Sequence, residues 1–169
     1  MINNEIRTAL KNICSTLNQN KVEYLIIGGV AVSYYGYYRI SAMGSGMSEV
    51  QYDIDFWYNP TTSNFHNLLK SLKDIGIDIS TIENTVFDRN QFLRIPHKHF
   101  RMEFLPQMIG LETFSTCFKR AQEVSLDDNN LHFLSYNDLI LNKRAVGRGI
   151  DKEDIEALGK IRNQRDQPD

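Results

Sequence analysis

The stretch Tyr52-Asp-Ile-Asp-Phe-Trp-Tyr58 decides the fold of this chain. It is an apolar run that carries two aspartates, Asp53 and Asp55, one residue apart. In a β-strand, side chains at i and i+2 leave the same face, so the two carboxylates project together, with Cα atoms roughly 7 Å apart. Two like charges on one face are costly unless a cation or a basic partner neutralises them. Because a divalent metal ion prefers such hard oxygen ligands, the stretch predicts a metal-binding strand. The alternative is a half-exposed edge strand with solvated acids.

A second apolar run, Tyr24-Leu-Ile-Ile27, ends in the pair Gly28-Gly29. The pattern predicts a strand that turns through the glycines into a helix. Such a turn exposes several unpaired backbone N–H groups, which can bind an anion such as a phosphate. The alternative is that the glycines serve only the steric needs of the turn. The turn lacks the Gly-Lys-Ser/Thr of a Walker-type loop and the third glycine of a dinucleotide-binding motif.

Length, composition and charge narrow the classes of protein that fit the chain. The 169 residues, 41% of them hydrophobic, predict one domain, or one domain with a small helical appendage. A formal charge of −2 argues against a protein that binds nucleic acid through a broad basic surface. Cys14 and Cys117 are expected to be reduced and buried, and no stretch reads as a signal peptide or a membrane span. We therefore expect a cytoplasmic protein; its oligomeric state is left open.

Hydrophobic periodicity predicts the order helix, strand, helix, strand, helix, two or three strands, then helices. This order is typical of an α/β (α+β) fold in which helices flank a small mixed sheet. We expect a core over residues 1–134 and a C-terminal helical extension over 135–169 packed on it. Residues 40–51 show neither helical nor strand periodicity, which predicts a long loop. Further along, the pattern predicts extended pieces at 86–87, 91–95 and 99–105, a helix around 111–121 and a brief strand near 131–134.

The two aspartates suggest polymerase-type phosphoryl transfer, in which two divalent ions about 4 Å apart hold the attacking and leaving oxygens. That chemistry usually requires a third carboxylate on a neighbouring strand. Glu103, in the alternating stretch Arg101-Met-Glu-Phe-Leu105, is the candidate. The alternative is that Glu103 pairs with Arg101 or Arg94 on a wet face of the sheet.

These residues also resemble a known family. The segments Ile-Ile-Gly-Gly-Val-Ala-Val, Tyr-Gly-Tyr-Tyr-Arg39 and Asp-Ile-Asp-Phe are similar to the nucleotidyltransferase superfamily of the DNA polymerase β type. The likeness is greatest to its minimal bacterial members, including toxins of abortive-infection systems. The resemblance implies that Gly28 and Gly29 contact the phosphates of a nucleoside triphosphate, and that Asp53 and Asp55 bind Mg²⁺ or Mn²⁺.

Arg39 matches the arginine that precedes the metal-binding strand in this family, and Ser41 is the candidate for its serine or threonine. The link from Arg39 to Asp53 is longer than in the family pattern, and the third acid is a glutamate where many members have aspartate. The segment 141–158 also resembles the end of such proteins. There Lys143, together with Arg144 and Arg148, can neutralise phosphate charge. The alternative is ordinary helix capping and ion pairing.

The chain is therefore predicted to be a metal-dependent nucleotidyltransferase. It would transfer a nucleoside monophosphate from the triphosphate to an acceptor hydroxyl on RNA, a protein or a small molecule. Two alternatives stay open. One is a catalytically weak or inactive binding protein with the same fold, and the other is the toxin of a toxin–antitoxin or abortive-infection system.

Overall fold

The computed structural model describes residues 4–38, 52–97 and 100–165, with side chains from residue 7 onward. Six helices and six strands lie in these ranges. In chain order they are α1 (Asn4–Gln19), β1 (Tyr24–Ile26), α2 (Gly28–Tyr34), β2 (Tyr52–Tyr58), α3 (Thr62–Asp74), β3 (Leu93–Pro96), β4 (Phe100–Leu105), α4 (Phe114–Phe118), β5 (Gln122–Leu126), β6 (Asn129–Phe133), α5 (Tyr136–Val146) and α6 (Gly149–Arg165).

The six strands form one mixed sheet in the order β3-β4-β2-β1-β6-β5. The central strand β2 runs parallel to β4 and antiparallel to β1. In the β2–β4 pair, Asp53 is opposite Arg101 and Asp55 is opposite Glu103. This register places the predicted acids of two strands side by side.

One face of the sheet is the main core. Ile54, Phe56 and Tyr58 of β2 are fully buried there, because they alternate with the aspartates. Phe56 stacks on Phe104 of β4 with ring centroids 4.9 Å apart. Phe65 of α3 lies against Tyr58, so this helix covers the face and leaves the acids on the other side of the sheet.

The opposite face is apolar at one end and acidic at the other. Trp57, which follows Asp55 on this face, is buried against the ring of Phe114 in α4. Its indole N–H donates a hydrogen bond to the carbonyl oxygen of Pro106, with N and O 3.1 Å apart. The aspartates lie beyond this packed end, where the face is only half-buried.

The two C-terminal helices have well-defined ends. Ser135 caps α5 by accepting a hydrogen bond from the backbone N–H of Asp138. Gly147 ends the same helix with φ of 70°, the left-handed conformation that glycine adopts readily. The boundary expected at residue 134 thus falls in the link between β6 and α5.

The predicted fold class is confirmed, and most elements lie where the periodicity places them. The β2 bounds agree with the sequence pattern, whereas α4 is shorter than the helix expected over 111–121 and 86–87 is not a strand. Strand β5 was not predicted, since it is a largely exposed edge strand with little apolar signal. The loop expected at 40–51 lies outside the described residues. None of the described helices combines the length and the apolar character that crossing a membrane requires.

Candidate active site

The candidate site is the acidic end of β2 and β4. Asp53 and Asp55 project from β2 on the face opposite the main core, and Arg101 and Glu103 project beside them from β4. Arg94 of β3 is opposite Glu103 on the same face. The three side chains Asp53, Arg101 and Glu103 expose 22%, 18% and 16% of their surface, so the charges are partly withdrawn from water.

Asp55 lies directly against the glycine turn. The backbone N–H of Ile27 donates to the carbonyl oxygen of Asp55 at 3.0 Å, which ties the end of β1 to β2. Gly28 follows with φ of 62°, in the left-handed region. A Cβ at Gly28 would overlap an oxygen of the Asp55 carboxylate and lie 3.0 Å from its Cγ. The turn therefore needs glycine both for its conformation and for the approach of this carboxylate.

The surroundings of Asp55 favour its protonated form. Burial, the largest cause, and the neighbouring charges of Glu103 and Asp53 together raise the pKa of Asp55 to about 7. Arg101 and Arg148 oppose this shift. Within the described ranges, no basic side chain forms an ion pair with Asp55. Asp55 thus has two carboxylates beside it and no counter-ion among the described side chains. A cation that binds at such a position relieves the repulsion between the negative charges.

Arg101 lies between the other two acids. Its Nη2 is 3.0 Å from Oδ1 of Asp53, and its Nε is 3.1 Å from Oε1 of Glu103. Neither contact has the alignment of a hydrogen bond, so Oδ1 of Asp53 and Nε of Arg101 are buried without a hydrogen-bond partner in the described part of the chain. Arg94 donates a well-formed hydrogen bond to the same Glu103 oxygen at 2.8 Å. Glu103 thus makes the pairs with Arg101 and Arg94 that the sequence left open.

The residues present fit a divalent metal ion in their donor chemistry. Three carboxylates share one face. Among the residues that the structure describes, one buried carboxylate oxygen lacks a hydrogen bond and Asp55 lacks an ion pair. Across residues 4–38, 52–97 and 100–165, no three His, Cys, Asp or Glu side chains are already gathered as a ligand set. At this site the acids are not gathered because the guanidinium of Arg101 lies between Asp53 and Glu103.

Lys143 occupies a different position from the one its predicted phosphate role requires. Its ammonium group is 3.2 Å from Oδ1 of Asp151 and 2.7 Å from Oδ2 of Asp154, and only 4% of its side chain is exposed. Both aspartates are buried in the first turns of α6. Lys143 therefore acts as the counter-ion that joins α5 to α6.

Arg148 brings positive charge from the C-terminal helices towards β2. Its guanidinium donates to both carboxylate oxygens of Asp151, at 2.8 and 3.1 Å. Asp55 is close enough to raise the pKa of Arg148, although the hydrogen bond to Asp151 is the larger cause. The side chain is 67% exposed, so it is accessible to a ligand. Of the other predicted residues, Arg39 and Ser41 lie outside the described residues.

Comparison with known proteins identifies a family for this chain and a solved structure with a similar fold. Residues 6–167 match a family model described as a nucleotidyl transferase of unknown function (DUF2204). A crystal structure from Thermotoga maritima, provisionally described as a nucleotidyltransferase, has a similar fold. Its TM-score is 0.57 at 15% sequence identity, over 97% of this chain and 96% of that chain. No curated protein matches the sequence. Because the family model covers nearly the whole chain, this protein belongs to that nucleotidyl transferase family.

Proposed function

We propose that this protein is a metal-dependent nucleotidyltransferase that transfers a nucleoside monophosphate from a nucleoside triphosphate to an acceptor hydroxyl. One observation carries the proposal: the Asp55 carboxylate lies against the Gly28 turn while Asp53 and Glu103 flank it on the same face. The family match supports the reaction class. The metal, the nucleotide and the acceptor are the parts that the proposal adds.

Asp55, Asp53 and Glu103 would hold Mg²⁺ or Mn²⁺. When bound, the ion supplies charge neutralisation for the triphosphate and for the acceptor oxygen. Asp55 contributes most, since its carboxylate has no ion pair among the described side chains and is held in place by contact with Gly28. Burial keeps water away from the carboxylate, which strengthens its attraction for a cation.

The rest of the site would position the nucleotide. The Gly28-Gly29 turn is next to Asp55. Because glycine has no side chain, phosphates bound near that carboxylate could come close to the backbone of the turn. Arg148 adds a fixed positive charge, because Asp151 holds its guanidinium at two points. The contribution of these residues to catalysis would be orientation and charge neutralisation.

A second candidate is a nucleotide-binding protein without transfer activity. The observation that favours it is the pairing of Arg101 with both Asp53 and Glu103, which occupies one oxygen of each of these two proposed ligands. The two candidates share the binding step and differ in the transfer step.

One assay distinguishes them. The protein is incubated with each α-labelled nucleoside triphosphate, Mg²⁺ or Mn²⁺, and total RNA, cell protein or small hydroxylated acceptors. The enzyme predicts label transfer by the wild type and none by Asp55→Asn. Asp127→Asn is the matched control, since Asp127 pairs with Lys11 at the opposite edge of the sheet and asparagine tolerates its φ of 53°. Binding of triphosphate without transfer to any acceptor supports the second candidate.

A further inference from the structure

Arg101 is the one basic side chain, among the described residues, that contacts two of the proposed metal ligands. It lies in register with Asp53 across the parallel β2–β4 pair, and Glu103 is two residues further along its own strand. Its backbone position is therefore fixed by the sheet. The guanidinium bridges carboxylates from neighbouring strands, as a cation shared by the two strands would do.

We propose that Arg101 takes the place of one of two divalent ions, so that this active site binds a single ion before the nucleotide arrives. The inference rests on the proposed function, because it concerns the same three carboxylates. Asp53 on β2 and Glu103 on β4 offer carboxylate oxygens that an ion shared by the two strands could use, and Arg101 is within 3.1 Å of one oxygen of each. Asp55 then remains as the main ligand of the ion that does bind.

The charges at the site agree with one ion. Asp53, Asp55 and Glu103 together carry three negative charges when ionised, and the enclosed guanidinium of Arg101 removes one. The remaining two match the charge of a single divalent ion. Arg94 also contacts Glu103, but 58% of its side chain is exposed and solvent screens its charge. The charge of Arg148 is paired with Asp151. The arginine side chain is the cationic group that suits an enclosed position between carboxylates.

A guanidinium and a divalent ion would differ in what they do at this position. The guanidinium is planar and covalently attached to the chain, so it cannot dissociate into solvent as a metal ion can. The two carboxylates would then be organised before any metal arrives. The single ion bound at Asp55 would have to serve the triphosphate, and Arg101 would supply the second positive charge beside it.

The test counts bound Mn²⁺ on the full chain, using the electron paramagnetic resonance signal of the free ion in a titration without nucleotide. Wild type is expected to bind one ion per chain, and Asp55→Asn none. Arg101→Met removes the cation and is expected to bind two. Arg101→Lys keeps a positive charge and is expected to bind one. Arg94→Met is the matched control on the neighbouring strand and is also expected to bind one.

The outcomes separate this inference from the proposed function. Two ions on the wild type, or one ion on a folded Arg101→Met, would overturn the role of Arg101 while leaving a metal-dependent enzyme intact. No Asp55-dependent ion on the wild type would overturn the proposed metal site and this inference with it. Thermal unfolding with and without Mn²⁺ checks that each variant folds. If Arg101→Met does not fold, the wild-type count and Arg101→Lys still decide: two ions on either protein overturn the inference.

Discussion

The carboxylate of Asp55 and the Cα of Gly28 are so close that no side chain fits at residue 28. Asp55 comes from a strand and Gly28 from the first residue of a helix, yet the two are in direct contact. The turn conformation and the position of the proposed metal ligand are therefore one structural feature. A change at either residue should be measurable at the other.

Replacing Gly28 with alanine tests this contact. The new Cβ would overlap the Asp55 carboxylate, and the alanine would have to adopt the left-handed φ of 62°. We expect a loss of stability of about 2 kcal/mol or more, since the left-handed conformation alone costs about 1–2 kcal/mol. Mn²⁺ binding should weaken about tenfold, in line with the effect of moving a metal ligand. Chemical denaturation and Mn²⁺ titration measure the two effects.

Gly76→Ala is the control for Gly28→Ala. Gly76 has φ of 84° and no atom within 4 Å of the Cβ it would gain. This variant should therefore show the conformational cost alone, about 1–2 kcal/mol, with unchanged Mn²⁺ binding. Equal losses of stability and intact Mn²⁺ binding in both variants would show that the contact with Asp55 has no consequence.

The stability of the metal-free protein should depend on pH through Asp55. Its pKa is raised to about 7 in the fold by burial, Glu103 and Asp53, against the opposing charges of Arg101 and Arg148. Because the folded state holds this proton more tightly than the unfolded chain, the free energy of unfolding falls as pH rises from the unfolded pKa to about 7.

Asp55→Asn removes that dependence. With allowance for partial solvent exposure, we expect the variant to be about 2 kcal/mol more stable than wild type at pH 8, roughly 5 °C in Tm. Near pH 4 the two proteins should have similar stability. Thermal unfolding in a metal chelator across this range measures the difference. A gain that is the same at every pH, or a loss at pH 8, would contradict a raised pKa of Asp55.

Lys143 is expected to matter for stability and not for nucleotide binding. Replacing it with methionine would leave the buried carboxylates of Asp151 and Asp154 without this cation. Breaking such a buried pair costs about 3–5 kcal/mol. We expect a Tm lowered by about 10 °C, from the usual relation between stability and Tm at this size.

Lys160→Met provides the comparison for Lys143→Met, because Lys160 is exposed on α6. Its stability should stay within about 0.5 kcal/mol of wild type. If Lys143→Met instead keeps its stability and loses affinity for nucleoside triphosphate, Lys143 has the phosphate role that the sequence pattern suggested.

The sequence predicted the acidic strand well because alternation is a local property. Ile54, Phe56 and Tyr58 needed one buried face, and this placed Asp53 and Asp55 together on the other. The Gly-Gly turn could be located for a similar reason, since few other residues allow a strand to enter a helix so abruptly. What local pattern could not show is the direct contact between Gly28 and Asp55.

The remaining features depend on contacts between distant parts of the chain. Burial of Lys143 requires α5 and α6 to fold back on each other, which brings Asp151 and Asp154 to it. Strand β5 gave little signal because it is an edge strand whose residues are mostly exposed. Asp127 and Asp128, which follow β5, are residues that favour turns and could have indicated the hairpin between β5 and β6. Arg101 could be placed beside Glu103 by alternation, but its bridge to Asp53 follows only from the parallel pairing of β2 with β4.

The central claim is best tested by following two labels of the same nucleoside triphosphate. With an acceptor identified, wild-type protein and Mg²⁺ or Mn²⁺ should move the α-phosphate label to the acceptor and release the γ-label as pyrophosphate in equal amounts. Asp55→Asn should lower both rates at least about 100-fold, as expected for loss of a group that stabilises charge in the transition state, while Asp127→Asn matches wild type. Transfer of the γ-label to the acceptor, or an Asp55→Asn variant as active as wild type, would contradict the account.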